Sequence, residues 1–289
     1  MIRLRGFQII AALAAINSIA LLAGAAEPAI EKGIEYANPD NQHLQLDLAR
    51  PSDGAAPFPA IVCIHGGGFR AGKREHWDAM CQDLAAQGFV AVTITYRLAP
   101  KYQFPAAVED CKAAVRWLRA NADKYHVDPK RIGVLGDSAG GHLTQFLAVT
   151  NNVRDFDGDQ NPGPPSTVQC AVSWYGPCDF TLSYGKSVDA AEVLPMFLGG
   201  NLEQQRKRHI LASPLYWVTP DVPPILLMHG TDDKYVNYEQ STLMRDRLKA
   251  AMVDVELITF QGAGHGFKGD DAKRANAAAI EFLKKRLQG

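Results

Sequence analysis

Neither sign of charge prevails in this chain of 289 residues: 30 Lys and Arg stand against 31 Asp and Glu, a net charge of −1 at pH 7. Without a basic surplus there is no electrostatic footprint for nucleic acid. The five cysteines, Cys63, Cys81, Cys111, Cys170 and Cys178, form no C-x-x-C pair, so the usual dithiol and zinc spacings are missing. No internal repeat and no low-complexity tract is visible, which sets aside solenoids and compositionally disordered segments. After the first residues no further apolar run is long enough to cross a bilayer. What is present is 47% hydrophobic content, enough to bury a core as one large α/β domain or as two small ones.

The amino-terminal segment has Arg3 and Arg5, then an apolar run from Phe7 to Leu22, then Ala23-Gly24-Ala25-Ala26 before the polar Glu27. Basic start, apolar middle and small residues at the end predict a cleaved secretory signal over 1–26, with an uncleaved anchor as the alternative. The expectation is a single domain over 27–289, secreted or periplasmic, with no stable membrane anchor after cleavage. Export permits disulfides, but an odd cysteine count leaves at least one thiol unpaired or bonded elsewhere. Cys63, Cys111 and Cys170 fall in apolar strand or helix patterns and are expected as buried packing residues.

From residue 34 onward strands and helices alternate. Ile34 to Ala37 and His43 to Ala49 alternate as two strands around the turn cluster 38–41, and Ala60 to Ile64 is an unbroken apolar run, the mark of a strand covered on both faces. Helical spacing over 75–86 is followed by a strand at 89–95, a helix over 104–125, a strand at 131–136 and a helix at 139–150. Further strands are expected at 168–174, 224–228 and 255–260, with helices at 238–252 and 271–287. This rhythm implies βαβ crossovers, a mainly parallel central sheet and helices on both faces. Such a sheet holds its site at the carboxyl ends of its strands. Two stretches interrupt it: a polar loop, 151–167, and 176–220, expected to cover the pocket as a small lid of short helices.

The chemistry-bearing residues fall at strand ends. Gly136-Asp137-Ser138-Ala139-Gly140 follows a short apolar strand and opens a helix, as a nucleophile elbow requires, since the turn pushes the serine hydroxyl out above the sheet. A serine that attacks a carbonyl needs a base, a group to hold that base, and donors for the oxyanion. The base candidate is His265, in the glycine-rich turn after strand 255–260; the acid is Asp232 or Asp233, after strand 224–228. Donors are expected from His65-Gly66-Gly67-Gly68-Phe69, where three successive glycines let the backbone approach a ligand, and from the amide of Ala139. Ser, Asp and His stand in the chain order of an α/β-hydrolase.

Taken together, His65-Gly66-Gly67-Gly68, Tyr96-Arg97-Leu98-Ala99-Pro100, Phe104 to Asp110, Gly136 to Gly141, and His229-Gly230 with Asp233 resemble the esterase branch of the α/β-hydrolases grouped with hormone-sensitive lipase. The resemblance runs from about residue 57 to the end. It implies the α/β-hydrolase fold and selects Asp233, four residues after the histidine of the H-G pair, as the acid. It also implies oxyanion donors at Gly67, Gly68 and Ala139. The sequence departs from the family at Lys101, where an acid is frequent, and in having no long amino-terminal helical cap, so the cover must come mainly from 176–220. Gly140-Gly141-His142-Leu143 is similar to compact bacterial carboxylesterases, some of which deacylate plant polysaccharides.

The function expected is therefore that of a serine carboxylester hydrolase acting on short-chain aryl, alkyl or sugar acetyl esters, with catalytic residues Ser138, Asp233 and His265 and no cofactor or metal. A peptidase of the same fold and a non-catalytic binding protein are the rivals. Asp155, Asp157, Asp159 and Asn161 are similar to the start of a calcium loop, but the glycine is misplaced and Ser166 stands where a bidentate glutamate belongs. His65, His142, His229, Asp137 and Glu109 are expected to shape loops through hydrogen bonds.

Overall fold

A computed structural model describes residues 27–289; the expected leader, 1–26, lies outside them. The elements in order are β1 (Ala29–Ala37), β2 (Leu44–Arg50), β3 (Phe58–Ile64), α1 (Asp78–Ala86), β4 (Val90–Ile94), α2 (Ala106–Ala120), α3 (Ala122–Tyr125), β5 (Val127–Asp137), α4 (Ala139–Val149), β6 (Cys170–Trp174), α5 (Ala190–Leu198), α6 (Arg206–Leu211), β7 (Ile225–Gly230), α7 (Glu239–Ala250), β8 (Val255–Phe260) and α8 (Gly269–Leu287). One eight-stranded sheet joins the strands in the order β1-β2-β4-β3-β5-β6-β7-β8. Only β2 opposes its neighbours, β1 and β4; from β4 to β8 every pairing is parallel.

The side-chain period of 2 explains why β3 carries no polar residue. Ala60, Val62 and Ile64 face a layer that includes α2, α4 and α7, while Ile61 and Cys63 face α1 and α8 on the other side. Leu226 and Met228 of β7 join the second layer and Ile225 and Leu227 the first. The sheet is thus buried on both faces, as the alternation of strands and helices implies. All five cysteines are buried and free, which agrees with the packing expected of Cys63, Cys111 and Cys170.

Strand order places the site. The crossover from β3 to β4 runs toward one edge of the sheet, and that from β4 to β5 returns past β3 toward the other. A crevice opens at the carboxyl ends where the direction reverses, between the segments that follow β3 and β5.

Where the elements differ from the sequence reading, a local contact accounts for it. The helix expected over 104–125 is interrupted at Asn121, whose Nδ2 donates to the carbonyl of Trp117, and resumes as the single turn of α3. Edge strand β1 begins five residues before Ile34, because exposed residues such as Glu31 and Lys32 carry no burial pattern to announce it. No described helix is long and apolar enough to cross a membrane.

Candidate active site

The elbow is built by close backbone approach. A Cβ on Gly140 would lie 2.0 Å from the carbonyl oxygen of Ile64, and one on Gly136 would lie 2.6 Å from Gly140 itself, so α4 can pack against β3 and β5 only without side chains at these positions. Ser138, between them, sits at φ 53° and ψ −118°. A left-handed non-glycine residue costs about 1–3 kcal/mol. The surrounding backbone holds it there: the Ser138 amide donates to Trp174 O at 2.9 Å, and Ser138 O accepts from the His142 amide at 2.9 Å.

Two loops from later strands reach this serine. His265, after β8, has Nε2 2.9 Å from Ser138 Oγ and Nδ1 2.7 Å from Asp233 Oδ2. Asp233, after β7, is held from both oxygens. Oδ1 accepts the amides of Tyr235 and Val236 at 2.8 and 2.9 Å, and Oδ2 also lies 3.3 Å from His229 Nε2. Burial alone would raise this carboxyl, but the hydrogen bonds from His229 and His265, the electrostatic pull of the His265 ring and the Val236 amide outweigh it and hold Asp233 well below the usual carboxylate range. An ionised Asp233 only accepts, so His265 carries its proton on Nδ1 and turns the lone pair of Nε2 toward the serine hydroxyl. That arrangement can take the Ser138 proton and stabilise the resulting imidazolium.

A glycine-rich segment lines the same cavity as this serine. Gly67 has φ 118°, and a Cβ there would lie 2.2 Å from Ala71 O; this folds the segment after β3 into a turn in which Gly67 O accepts from the amides of Arg70 and Ala71. Among the described residues, the amides of Gly67 and Gly68 have no backbone acceptor in the chain. The amide of Ala139 opens α4, where first-turn N–H groups have no intrahelical partner. Asp137 ties this loop to the elbow, its Oδ1 accepting the Gly66 amide at 2.9 Å.

Ser138, His265, Gly67, Gly68 and Ala139 line a cavity of about 410 Å³. An apolar group lies beside the glycine loop: Val193 is 3.4 Å from a Cβ built on Gly68, and Phe69 stacks on Phe197 at 3.9 Å and meets Phe180 edge-on at 6.0 Å. Behind these rings His142 is fully buried, its Nδ1 donating to Pro177 O at 3.0 Å, and burial pushes it down to about 3, so the ring is neutral. The stretch 176–220 contributes lining from Pro177 to Leu194 only. Its later part packs on the core instead, with Trp217 against Phe146 and Phe156 and Arg208 Nη2 donating to Phe104 O.

Asp232 is exposed, with its Oδ1 near Thr231 Oγ1, while Asp233 is the carboxylate bonded to His265. His65 stacks on Tyr96 at 4.4 Å and hydrogen-bonds Gly66 O, outside the serine's reach. Sequence reasoning assigned His229 to loop shaping and missed its contact with Asp233; the i, i+4 spacing is the only trace of it. It also missed Tyr175 and Tyr235, whose rings flank His265 at 4.7 and 5.2 Å. The calcium-like loop is engaged by protein cations: Asp157 Oδ1 accepts from Lys112 Nζ at 3.1 Å and lies 3.7 Å from Arg116 Nη1.

Comparison with known proteins identifies the family. The BD-FAE family model matches residues 46–248. Esterase LipC of Mycobacterium tuberculosis is 33% identical over 247 residues, covering 83% of this chain and 61% of that protein. Carboxylesterase NlhH of the same species is 31% identical over 249 residues, 80% of this chain and 74% of the relative. Among solved structures, a truncated carbohydrate esterase from gut microbiota superposes with a TM-score of 0.80 at 27% identity, covering 92% of this chain and 99% of that one. Esterase Est2 of the planctomycete Thermogutta terrifontis, with propionate bound, gives 0.74 at 28% identity over 90% and 94%. The chain spans 61% of the length of LipC and 48% of that of a second relative from the same species, the probable carboxylic ester hydrolase LipM. With its elbow, glycine loop and sheet order, the chain belongs to the BD-FAE family, in the hormone-sensitive-lipase-like esterase branch of the α/β-hydrolases.

Proposed function

We propose that this protein hydrolyses short-chain carboxylic esters through an acyl-enzyme on Ser138. His265 takes the hydroxyl proton as Oγ attacks the acyl carbon, and Asp233 orients the ring and offsets its charge. The amides of Gly67, Gly68 and Ala139 receive the developing oxyanion. His265 returns the proton to the departing alkoxide; water then repeats the sequence to release the acid. Nucleophile, base and donors all come from the chain, so this chemistry needs no cofactor. The observation that carries the reading is the unbroken series of contacts from Ser138 Oγ through His265 to Asp233, 2.9 and then 2.7 Å, at the wall of a cavity.

Short acyl groups are favoured because the cavity must hold acyl and alcohol together and the stacked rings of Phe69 and Phe197 back its apolar part. The carbohydrate esterase similarity supports acylated carbohydrates among the substrates. Export to the periplasm or medium, with residues 1–26 as leader and part of 176–220 as cover, belongs to the same proposal. In an assay of 4-nitrophenyl acetate, butyrate and octanoate, the first two are cleaved and octanoate at less than about a tenth of their rate. Ser138→Ala lowers kcat at least about 10⁴-fold on each. Retained turnover in that variant would contradict the proposal.

A further inference from the structure

We infer that Tyr235 forms the alcohol side of the site and selects esters whose alcohol carries a six-membered ring, aryl or pyranose. This rests on the esterase reading above. The tetrahedral carbon on Ser138 has two substituents with fixed directions: the oxyanion toward the amides of Gly67, Gly68 and Ala139, and the departing oxygen toward His265 Nε2, from which it must take its proton. Whatever flanks the imidazole on the cavity side therefore flanks the alcohol.

Two aromatic rings flank it. Tyr175, at 4.7 Å, is buried, with 6% of its surface exposed, and packs against Phe267, so it supports the imidazole from behind. Tyr235, at 5.2 Å and tilted by 39°, is 50% exposed and lines the cavity. Its backbone is pinned by the same carboxylate that orients His265, since its amide donates to Asp233 Oδ1 at 2.8 Å. The ring is thus held at a fixed place beside the proton donor while one face stays in water. Such a face gains most from a second flat surface, an aromatic ring or the C–H face of a sugar.

The opposing chain has matching character. The Val188 amide donates to Lys234 O at 3.0 Å, which brings the segment 182–188 alongside Tyr235. From it Leu182, 38% exposed, and Lys186 line the cavity, and Asn237, two residues after Tyr235, lines it as well. An apolar clamp with polar groups near its edge fits a ring that bears oxygen substituents.

The test compares acetates of three alcohols: phenyl acetate, an acetylated methyl xylopyranoside and ethyl acetate. All three give the same acetyl-enzyme, so an effect confined to the alcohol appears in kcat/KM and not in the common deacylation step. In Tyr235→Ala the ratio of kcat/KM for a ring acetate to that for ethyl acetate falls about fivefold, whereas Tyr235→Trp keeps it. A fall with phenyl acetate alone identifies an aryl alcohol, and a fall with the xyloside alone a sugar. Unchanged ratios for both ring acetates, even with lower rates throughout, would mean that Tyr235 only supports His265 and would overturn the inference. Failure of the unmodified enzyme to cleave any of the three would instead remove the esterase reading, and this inference with it.

Discussion

The two adjacent carboxylates Asp232 and Asp233 show what a single residue's placement decides. The turn after β7 sends Asp232 to solvent and buries Asp233 beneath His265, where two amides and two imidazoles surround it. In Asp233→Asn the amide offers N–H as well as C=O, so the tautomer of His265 is no longer enforced, and kcat falls by about 10³ to 10⁴. Asp232→Asn changes kcat less than about twofold, since surface substitutions away from such contacts are nearly neutral. Ester hydrolysis rates of the two variants check this, and the reverse ranking would exchange the roles. Position after a strand was legible in the sequence, but it left the two acids equivalent; only the resemblance separated them. The contact of His229 with Asp233 and the rings beside His265 were not legible, because they depend on how two separate loops approach each other.

At the scale of elements, buried strands announced themselves because strands covered on both faces are almost wholly apolar, as in β3. Residues 151–167 did not, because their order comes from another element. Three cations of α2 hold this loop by its carbonyls: Lys112 donates to Thr150 O and Val153 O, Arg116 to Gln160 O and Asn161 O, and Arg119 to Pro165 O and Thr167 O. Lys112 is fully buried, and burial lowers its affinity for a proton while Asp157 sustains it. From the sequence, Asp155, Asp157 and Asp159 suggested calcium; with Asp157 facing lysine and arginine, the positive charge there belongs to the protein. Lys112→Met removes the donor to Val153 O and to Asp157 Oδ1 and one of the two donors to Thr150 O, and costs about 2 to 3 kcal/mol. Urea denaturation should show a lower midpoint, with faster proteolysis within 151–167. An unchanged midpoint would count against this anchoring role.

Across the whole molecule, the groups of the site come from chain positions as far apart as Gly67 and His265, and the sheet order brings them together. The alternation of strands and helices therefore carried most of the fold. The cover was harder to read: only Pro177 to Leu194 faces the cavity, and the rest of the insertion buttresses α4. Two ion pairs tie this cover to the body, Arg70 with Glu192 and Lys186 with Glu239. Both are exposed and contribute little to stability. They join the insertion to the glycine loop and to α7.

The central claim, that this assembly makes one hydroxyl nucleophilic, is tested most directly by covalent trapping. The folded protein is incubated with a fluorophosphonate and the site of attachment is read by peptide mass spectrometry. The account predicts one adduct per chain, on the peptide containing Ser138, and at least about 10³-fold slower attachment in His265→Ala. Attachment at another residue, or at Ser138 with an undiminished rate when the histidine is gone, would contradict it.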